Sequence, residues 1–455
     1  MSKLFETVRF GLLSGLLATA SVSAQGSTDE DFLRWLEANQ NAAVDFSDGE
    51  LITYDNADKI RAFVPLGYQD EMIFEGMEVQ IKDAGDISPS SDYKEATKLH
   101  QAKVSLGADG AIEGYVAGMP FDPATFKPGD DTSGLKAAWN FSYRWQHEGL
   151  KIKEVKWVWV RGGGNHDDHE IMRSKYADLF SGGGKFERVL AGPYQRVYFN
   201  FRADLADQNY AVEGKWSATT EFRELTAFED PFDIAGTAFL ILRHTNPRKA
   251  DDSWAYLPSL RRVRRISVEV KYDSLLGTDH TLEDFYCFAG RVLEHDWSYL
   301  GTARILAVAR SRYRDTHYYG PNGWTPKDDW ALREVDVFQQ KPKSDSHPYS
   351  HKYIMSDRQS GEAYYCNAFD RAGELWKVWQ LSKVFTEDAH YSEPTYWKID
   401  ETPAGARVSA FQSINVIDKQ NNRGTLVPTL GHSYPDNSIR YVRRKLDVNY
   451  LTEGK

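Results

Sequence analysis

Cysteine and long hydrophobic runs are scarce in this chain. Its 455 residues contain two cysteines, Cys287 and Cys366, so it is not a small secreted domain built on a disulfide framework. These two could pair or stay as buried thiols, and the sequence leaves both readings open. Beyond the first 24 residues, no apolar stretch reaches the roughly 20 residues of a membrane-spanning helix. We therefore expect no transmembrane segment in the mature chain.

Several signatures of known chemistry are also missing. The chain has no Gly-x-Ser-x-Gly nucleophile turn, no Gly-x-Gly-x-x-Gly after a strand and no phosphate-binding P-loop. Its net charge is −11, whereas nucleic-acid binding needs a basic face that neutralises phosphates. The sequence thus argues against a nucleic-acid partner. It predicts no cofactor, and nothing in it requires an enzyme.

The first 24 residues have the order of a secretory signal. Lys3 and Arg9 precede a short apolar run over 10–20, and Val22-Ser23-Ala24 supplies small residues for a signal peptidase. The run is too short to span a bilayer. No cysteine stands directly after this run, so a lipid anchor has no attachment point. We predict cleavage near Ala24 and a soluble mature protein in the periplasm.

The mature chain, 25–455, has no linker, low-complexity tract or internal repeat, and it is interpreted as one domain with a helical N-terminal portion to about residue 105. Helices are predicted over Asp29–Gln40 and, capped by Ser90-Ser91-Asp92, over Tyr93–Lys103. Alternating apolar and aromatic residues predict many strands after that. The predicted strands are 151–160, 195–202, 236–243, 253–257, 261–271, 303–310, 352–356, 363–369, 375–380 and 407–416. This pattern predicts an α+β fold, mostly β, with one large curved antiparallel sheet.

One loop carries metal-capable side chains. His166, His169 and Glu170 lie close together after a triple glycine, and a third histidine could come from elsewhere. The order is not His-Glu-x-x-His, and a loop does not fix the geometry of residues three apart. A polar connecting loop is the alternative reading. A metal-assisted hydrolase built on these three residues stays open as a second hypothesis.

The segment that follows Trp254 and Tyr256 sets four arginines within five residues, Arg261 to Arg265. On a strand, Arg262 and Arg264 share a face with Ile266, and Arg261 and Arg265 take the other. Arginines beside a buried row need anionic partners. The next segment supplies carboxylates, so we predict an internal salt network. Its members are Arg261, Arg265, Asp279, Glu283 and Asp284.

The same segment carries a resemblance. "DDSWAYLPSLRRVRRI" followed by "YDSLLGTDHTLEDF" resembles the paired motifs of the family named domain of unknown function 1329. These are Gram-negative periplasmic proteins akin to the outer-membrane lipoprotein-sorting (LolA/LolB-like) proteins. Three further stretches fit the family pattern, so the resemblance spans roughly residues 90 to 385. They are "EATKLHQAKVSLGADGAIEGYVAGMPF", "KAAWNFSYRW" and "RAGELWKVWQ".

The resemblance implies an unclosed LolA/LolB-like half-barrel with helices on its concave side. It also implies a carrier for a lipid or other hydrophobic ligand, with an inner-membrane resistance–nodulation–division type transporter as an envelope partner. The family offers no catalytic residues to carry over. This chain is far longer than the small lipoprotein carriers, and it lacks the lipidated cysteine of the outer-membrane acceptor.

A dry groove lined by aromatic rings suffices for such a carrier, because each buried CH₂ contributes about 0.8 kcal/mol. We predict that Arg262 and Arg264 contact an anionic head group at the mouth of that groove. Aromatic side chains are the predicted apolar lining, with ordinary core packing as the alternative. They are Trp157, Trp159, Tyr198, Trp254 and Tyr256. An aromatic-rich glycan-binding or structural envelope module is the third hypothesis.

Overall fold

The computed structural model describes most of the chain. The described residues are 27–164, 169–174, 177–215, 217–266, 271–388, 405–433 and 438–453. The predicted signal peptide and His166 lie outside them.

Seven α-helices and nineteen strands are defined in this part of the chain. The helices are α1 (Asp29–Asn41), α2 (Asp58–Arg61), α3 (Gln69–Met72), α4 (Ser91–His100), α5 (Ser133–Ser142), α6 (Ile439–Lys445) and α7 (Val448–Glu453). The strands of the first half are β1 (Leu51–Thr53), β2 (Glu78–Ile81), β3 (Ser105–Leu106), β4 (Ile112–Glu113), β5 (Gly149–Arg161), β6 (Lys185–Tyr198), β7 (Thr220–Ala227), β8 (Ala238–His244), β9 (Asp252–Leu257) and β10 (Arg262–Arg265). The later strands are β11 (His295–Ala307), β12 (Tyr318–Tyr319), β13 (Thr325–Pro326), β14 (Asp329–Pro342), β15 (His351–Asp357), β16 (Ala363–Phe369), β17 (Leu375–Phe385), β18 (Ser409–Asp418) and β19 (Arg423–Ser433).

Fifteen of the strands form one sheet. Its order is β1-β2-β14-β15-β16-β17-β18-β19-β5-β6-β7-β8-β9-β10, and β11 pairs with β14. All pairings are antiparallel except β2 with β14, which run parallel. The sheet does not close on itself, and the prediction of a large, unclosed, mostly antiparallel sheet is confirmed.

The sheet buries both of its faces along its central strands. All seven residues of β16 and all ten of β18 are buried. In β5, Val155 and Trp157 enter one hydrophobic core, while Val158 and Val160 enter the other. This follows from the strand period of two, which sends successive side chains to opposite faces.

Different segments cover the two faces. The first core contains the aromatic side chains of α5 and the irregular segment 275–292. The second core contains the apolar side chains of 32–87, from α1 through β2. A third, smaller core lies between β6–β10 and the C-terminal helices α6 and α7. The first core is where the candidate site lies.

The early helices begin where the sequence predicts. Thr28 caps α1 in a reciprocal capping box with Asp31, and the Ser90 hydroxyl accepts a hydrogen bond from Tyr93 N–H at the start of α4. The N-terminal portion also contributes two short strands, β1 and β2, to the edge of the sheet. Strand β6 begins ten residues before the predicted 195–202, and it ends at Tyr198.

Within the described residues, we find no helix that combines the length and the apolar character needed to cross a membrane.

Candidate functional site

Residues 271–294, here called the plug, lie against the inner face of the sheet. Leu275, Phe285 and Phe288 of the plug are buried in the first core. Cys287 forms a disulfide with Cys366 of β16, and neither residue is exposed to solvent. The two cysteines that the sequence left undecided therefore fasten the plug to the centre of the sheet.

Three carboxylates of the plug, all predicted to belong to a salt network, are buried with cationic partners. Asp279 accepts a 2.6 Å hydrogen bond from the Arg423 guanidinium of β19. Asp284 accepts a 2.6 Å bond from Lys352 Nζ of β15. Glu283 lies between two imidazoles, at 3.1 Å from His295 Nε2 and 2.9 Å from His347 Nε2. Arg423, Lys352 and His295 lie on strands of the sheet, and His347 lies in the loop before β15.

The arginine run, Arg261 to Arg265, is separate from the plug carboxylates. It lies at β10, which is the last strand at one end of the sheet. Arg265 pairs with Asp252 of the adjoining strand β9, and Arg261 occupies the turn between them with φ of 48°. Arg262 and Arg264 are exposed, and neither side chain has an ion pair within the described residues. The structure therefore does not join the arginine run to the carboxylates of the plug.

The five predicted aromatics are spread over four environments. Trp157 is fully buried in the first core against Phe228, with ring centroids 4.9 Å apart. Trp159 is half-buried between two guanidinium groups, at 5.7 Å and 5.5 Å from its ring. Trp254 and Tyr256 pack on the third core, beneath the C-terminal helices. Tyr198 alone of the five lines a cleft.

The metal hypothesis concerns the loop before β6. His169 is described, and its Nδ1 accepts a 3.2 Å hydrogen bond from Ile171 N–H at the start of a short 3₁₀ turn. Glu170 begins that turn, and its side chain lies outside the described residues. A different set of metal-capable atoms meets at Glu283, Glu294 and His295. The Lys271 ammonium contacts both of those glutamates, so a cation already fills that position.

Residues of α5 line three clefts, and a fourth cleft adjoins one of these at Gly290 and Arg291. One, the Phe338 cleft, has about 450 Å³ of empty space and lies between α4, α5 and β14. Its charged side chains have partners: Arg144 bonds Glu362 at 3.0 Å, and Arg358 bonds Glu334 at 2.9 Å. It is lined by closed ion pairs and aromatic packing, and it offers a ligand no unpaired charge.

The other three clefts form a row along the inner face. The Phe201 cleft, of about 340 Å³, is lined by Tyr115, Ser142, Tyr143, Tyr198, Phe201 and Glu221, among others. The Pro247 cleft, of about 260 Å³, shares Ser142, Tyr143 and Glu221 with it and adds Trp139, Arg243 and Arg291. The Leu282 cleft, of about 510 Å³, shares Gly290 and Arg291 with the second and adds Ile241, Ile266 and Leu282. Residues of the stretches that resemble the family motifs line all three clefts of this row.

Aromatic rings form the wall of the Phe201 cleft. Tyr115 and Tyr143 stack with centroids 4.0 Å apart, and Phe201 approaches both, at 5.0 Å and 5.2 Å. Phe201 has φ of 62°, a left-handed conformation that is unfavourable for a bulky residue. Backbone strain of this kind concentrates at functional sites. Here it accompanies the placement of an aromatic ring at the cleft.

Glu221, the second residue of β7, is the distinctive polar group of the row. Its side chain is buried, with the residue 5 % exposed, and it lines both the Phe201 and the Pro247 clefts. Its carboxylate has no hydrogen bond or ion pair to any described residue. Buried carboxylates are normally paired, since desolvating an unpaired charge is costly.

The surroundings of Glu221 explain its charge state. Burial raises the pKa of Glu221 to about 7, helped by the nearby Asp251 and opposed by Arg243 and Arg291. Arg243 and Arg291 also contact Asp251, at 2.7 Å and 3.6 Å, and their effect on the pKa of Glu221 is smaller than that of burial. Glu221 therefore exchanges its proton near neutral pH, as groups at functional sites often do.

His147 lines the same cleft without supplying a charge. Burial lowers the pKa of His147 to about 4, although Asp204 lies 3.7 Å from its Nε2. The imidazole is therefore neutral at neutral pH. The sequence marked Tyr198 of this cleft, but it predicted no strand over 220–227 and did not single out Glu221.

A family model described as "Protein of unknown function (DUF1329)" matches residues 51–423. Among solved structures, an outer membrane lipoprotein-sorting protein domain from Vibrio parahaemolyticus is 17% identical, covers 71% of this chain and 100% of its own, and has a TM-score of 0.45. A DUF1329 family protein from Desulfovibrio piger is 16% identical, with coverages of 70% and 98% and a TM-score of 0.44.

A LolA superfamily protein from Nitrosomonas europaea is more distant. It is 12% identical, covers 68% of this chain and 94% of its own, and has a TM-score of 0.35. No curated protein matches the chain.

Proposed function

The chain belongs to the DUF1329 family, and on that premise we propose that it is a carrier that binds one hydrophobic or amphipathic molecule in the row of clefts beside α5. The observation that carries the proposal is Glu221: a buried, unpaired carboxylate at the junction of two aromatic-lined clefts. A group of that kind is costly to the apo protein. A bound ligand would supply its missing partner.

The row suits an elongated ligand because its clefts share lining residues. Ser142, Tyr143 and Glu221 line both the Phe201 and the Pro247 clefts, and Gly290 and Arg291 line both the Pro247 and the Leu282 clefts. Aromatic rings line the Phe201 cleft, whereas the Pro247 and Leu282 clefts combine apolar side chains with charged ones such as Arg243, Arg291 and Lys271. Each methylene that enters such a wall contributes about 0.8 kcal/mol.

The plug limits what can be carried. In this chain, 271–294 fills the inner face of the sheet beneath the disulfide to β16. The remaining space is the row of clefts at its margin. We propose a ligand of one short apolar body with a polar end at Glu221, in place of the wide lipoprotein acyl groove.

The location and partner belong to the same proposal. Export through the N-terminal signal would deliver the carrier to the periplasm. There it would pass its ligand to or from an inner-membrane transporter of the resistance–nodulation–division type. Both statements rest on the signal-like order of residues 1–24 and on the family resemblance.

The first test asks whether the row binds an apolar molecule. We would titrate the protein with N-phenyl-1-naphthylamine, and we would identify co-purified compounds by native mass spectrometry and organic extraction. Ser142 lines two of the clefts, so Ser142→Phe should fill them and weaken binding at least tenfold. The matched control is Ser91→Phe, on the exposed side of α4.

The control should bind as the unchanged protein does, and both variants should melt within a few degrees of it. A protein that binds no apolar probe and carries no ligand would refute the carrier function. If Ser142→Phe binds the probe as tightly as the unchanged protein does, the binding site is not this row of clefts.

A further inference from the structure

We propose that the ligand carries an ammonium group and that Glu221 is its counter-charge. This rests on the proposed carrier function and names the chemistry of its ligand. The geometric basis is the junction that Glu221 occupies, where the Phe201 and Pro247 clefts meet beside Tyr143. A ligand lying along the row must pass this carboxylate.

The charges around the junction favour a cation over an anion. On the Phe201 side, Arg202 pairs with Asp204, and on the Pro247 side Arg243 bonds Asp251 at 2.7 Å. Arg291 donates a 2.6 Å hydrogen bond to the Asn246 carbonyl as well as approaching Asp251. An anionic ligand would have to displace these acceptors.

A cationic ligand displaces nothing. Arg144, the remaining guanidinium of the Phe201 cleft, bonds Glu362 at 3.0 Å. Among the described residues that line the two clefts, Glu221 is the acidic side chain without a donor. Arg144 Nη2 has no hydrogen-bond partner among the described residues, but Arg144 lines the Phe201 cleft and not the Pro247 cleft. At the junction of the two clefts, the free hydrogen-bonding group is the Glu221 carboxylate, an acceptor that an ammonium group fills with its N–H donors.

The aromatic wall adds a second attraction for a cation. Tyr143, which lines both clefts with Glu221, stacks on Tyr115 at 4.0 Å and on Trp139 at 5.8 Å. The faces of such rings attract ammonium groups within about 6 Å of the centroid. A carboxylate beside an aromatic cluster suits an ammonium better than it suits a hydroxyl or a sulfate.

Binding of an ammonium is then linked to the proton of Glu221. The charged or titratable groups facing it are Arg196 of β6, Arg243 of β8, Tyr143 of α5, and Asp251 and Arg291 at the cleft margin. With a pKa of about 7, the carboxylate is mostly ionised at pH 8 and mostly protonated at pH 5.5. The affinity for an ammonium should fall about 30-fold between these pH values.

The experiment compares three probes with the same twelve-carbon chain: dodecylammonium, dodecanol and dodecyl sulfate. Binding to the full mature protein is measured by calorimetry below micelle-forming concentrations, at pH 8 and pH 5.5. We expect dodecylammonium to bind at least tenfold more tightly than the other two at pH 8. Glu221→Gln should abolish this preference, and the exposed Glu229→Gln should keep it.

The outcomes separate this inference from the carrier function. If all three probes bind equally, or if dodecanol or dodecyl sulfate binds best, the ammonium assignment is wrong while the carrier function stands. If Glu221→Gln still prefers dodecylammonium, the assignment of Glu221 as the counter-charge is also wrong. If neither these probes nor N-phenyl-1-naphthylamine binds, the carrier function itself fails.

Discussion

The plug and the Glu221 junction are both buried and both hold carboxylates, yet they differ in how those carboxylates are satisfied. In the plug, Asp279, Glu283 and Asp284 each contact a cationic or imidazole partner on a neighbouring strand. Glu221 has no such partner among the described residues. The first arrangement fixes the plug against the sheet. The second leaves one acceptor open, which is expected of a binding site.

The largest effect should come from breaking the paired region. Lys352 and Asp284 are each about 1 % exposed and lie 2.6 Å apart. Lys352→Met leaves a buried carboxylate without its main counter-charge, and we expect a loss of about 3–5 kcal/mol in the free energy of unfolding. Chemical denaturation at pH 7 measures it. The control is Lys153→Met, at an exposed position of β5. A loss below about 1 kcal/mol in Lys352→Met would contradict the structural role of the pair.

The unpaired region should respond in the opposite direction. The pKa of Glu221 is raised to about 7 in the folded protein from an ordinary 4.5, so its contribution to stability is complete below pH 4.5 and is lost as the pH rises through 7. Glu221→Gln removes that ionisation. At pH 8 this substitution should raise the free energy of unfolding of the apo protein by up to about 3 kcal/mol more than it does at pH 4.

Thermal unfolding of the apo protein across this pH range checks the result. Glu229→Gln should leave the pH dependence as it is. A Glu221→Gln protein that is less stable at pH 8 would mean that the carboxylate has a stabilising partner, and it would remove the contrast between the two regions.

The smallest effect should come from the arginine run. Arg262 and Arg264 are exposed and unpaired within the described residues, so replacing both with methionine should change the free energy of unfolding by about 0.5 kcal/mol or less per residue. Titration with a chemical denaturant measures this change in the free energy of unfolding. If the double variant fails to fold, Arg262 and Arg264 belong to a structural network.

Much of the architecture follows from local patterns. Strand β16 covers the predicted 363–369, and α1 runs one residue past the predicted 29–40. Strand β19 is different, because Gly424, Pro428 and Gly431 weaken its strand signal. It forms where β18 and β5 supply partners on both sides, and its pairing with β5 is interrupted around Pro428, which has no N–H to donate.

The site was less accessible to sequence reasoning than the sheet. The buried status of Asp279, Glu283 and Asp284 fits the prediction that they join a network. Their partners depend on strand order, because Arg423 and Lys352 follow Asp279 and Asp284 at long sequence separation. Glu221 was missed for the same reason. Its isolation depends on which side chains α5, β8 and the plug place around it, and a single sequence does not encode that explicitly.

The pairing of β5 with β19 has a consequence for how this chain is made. Residues 151–161 cannot complete their hydrogen bonds until residues 423–433 have been synthesised. Before that moment β5 and β18 both present bare strand edges, which are templates for association with other chains. A sheet assembled from such distant segments forms slowly. The nascent protein therefore needs protection until its last strand arrives, and truncation ahead of residue 423 should yield aggregates in place of a smaller carrier.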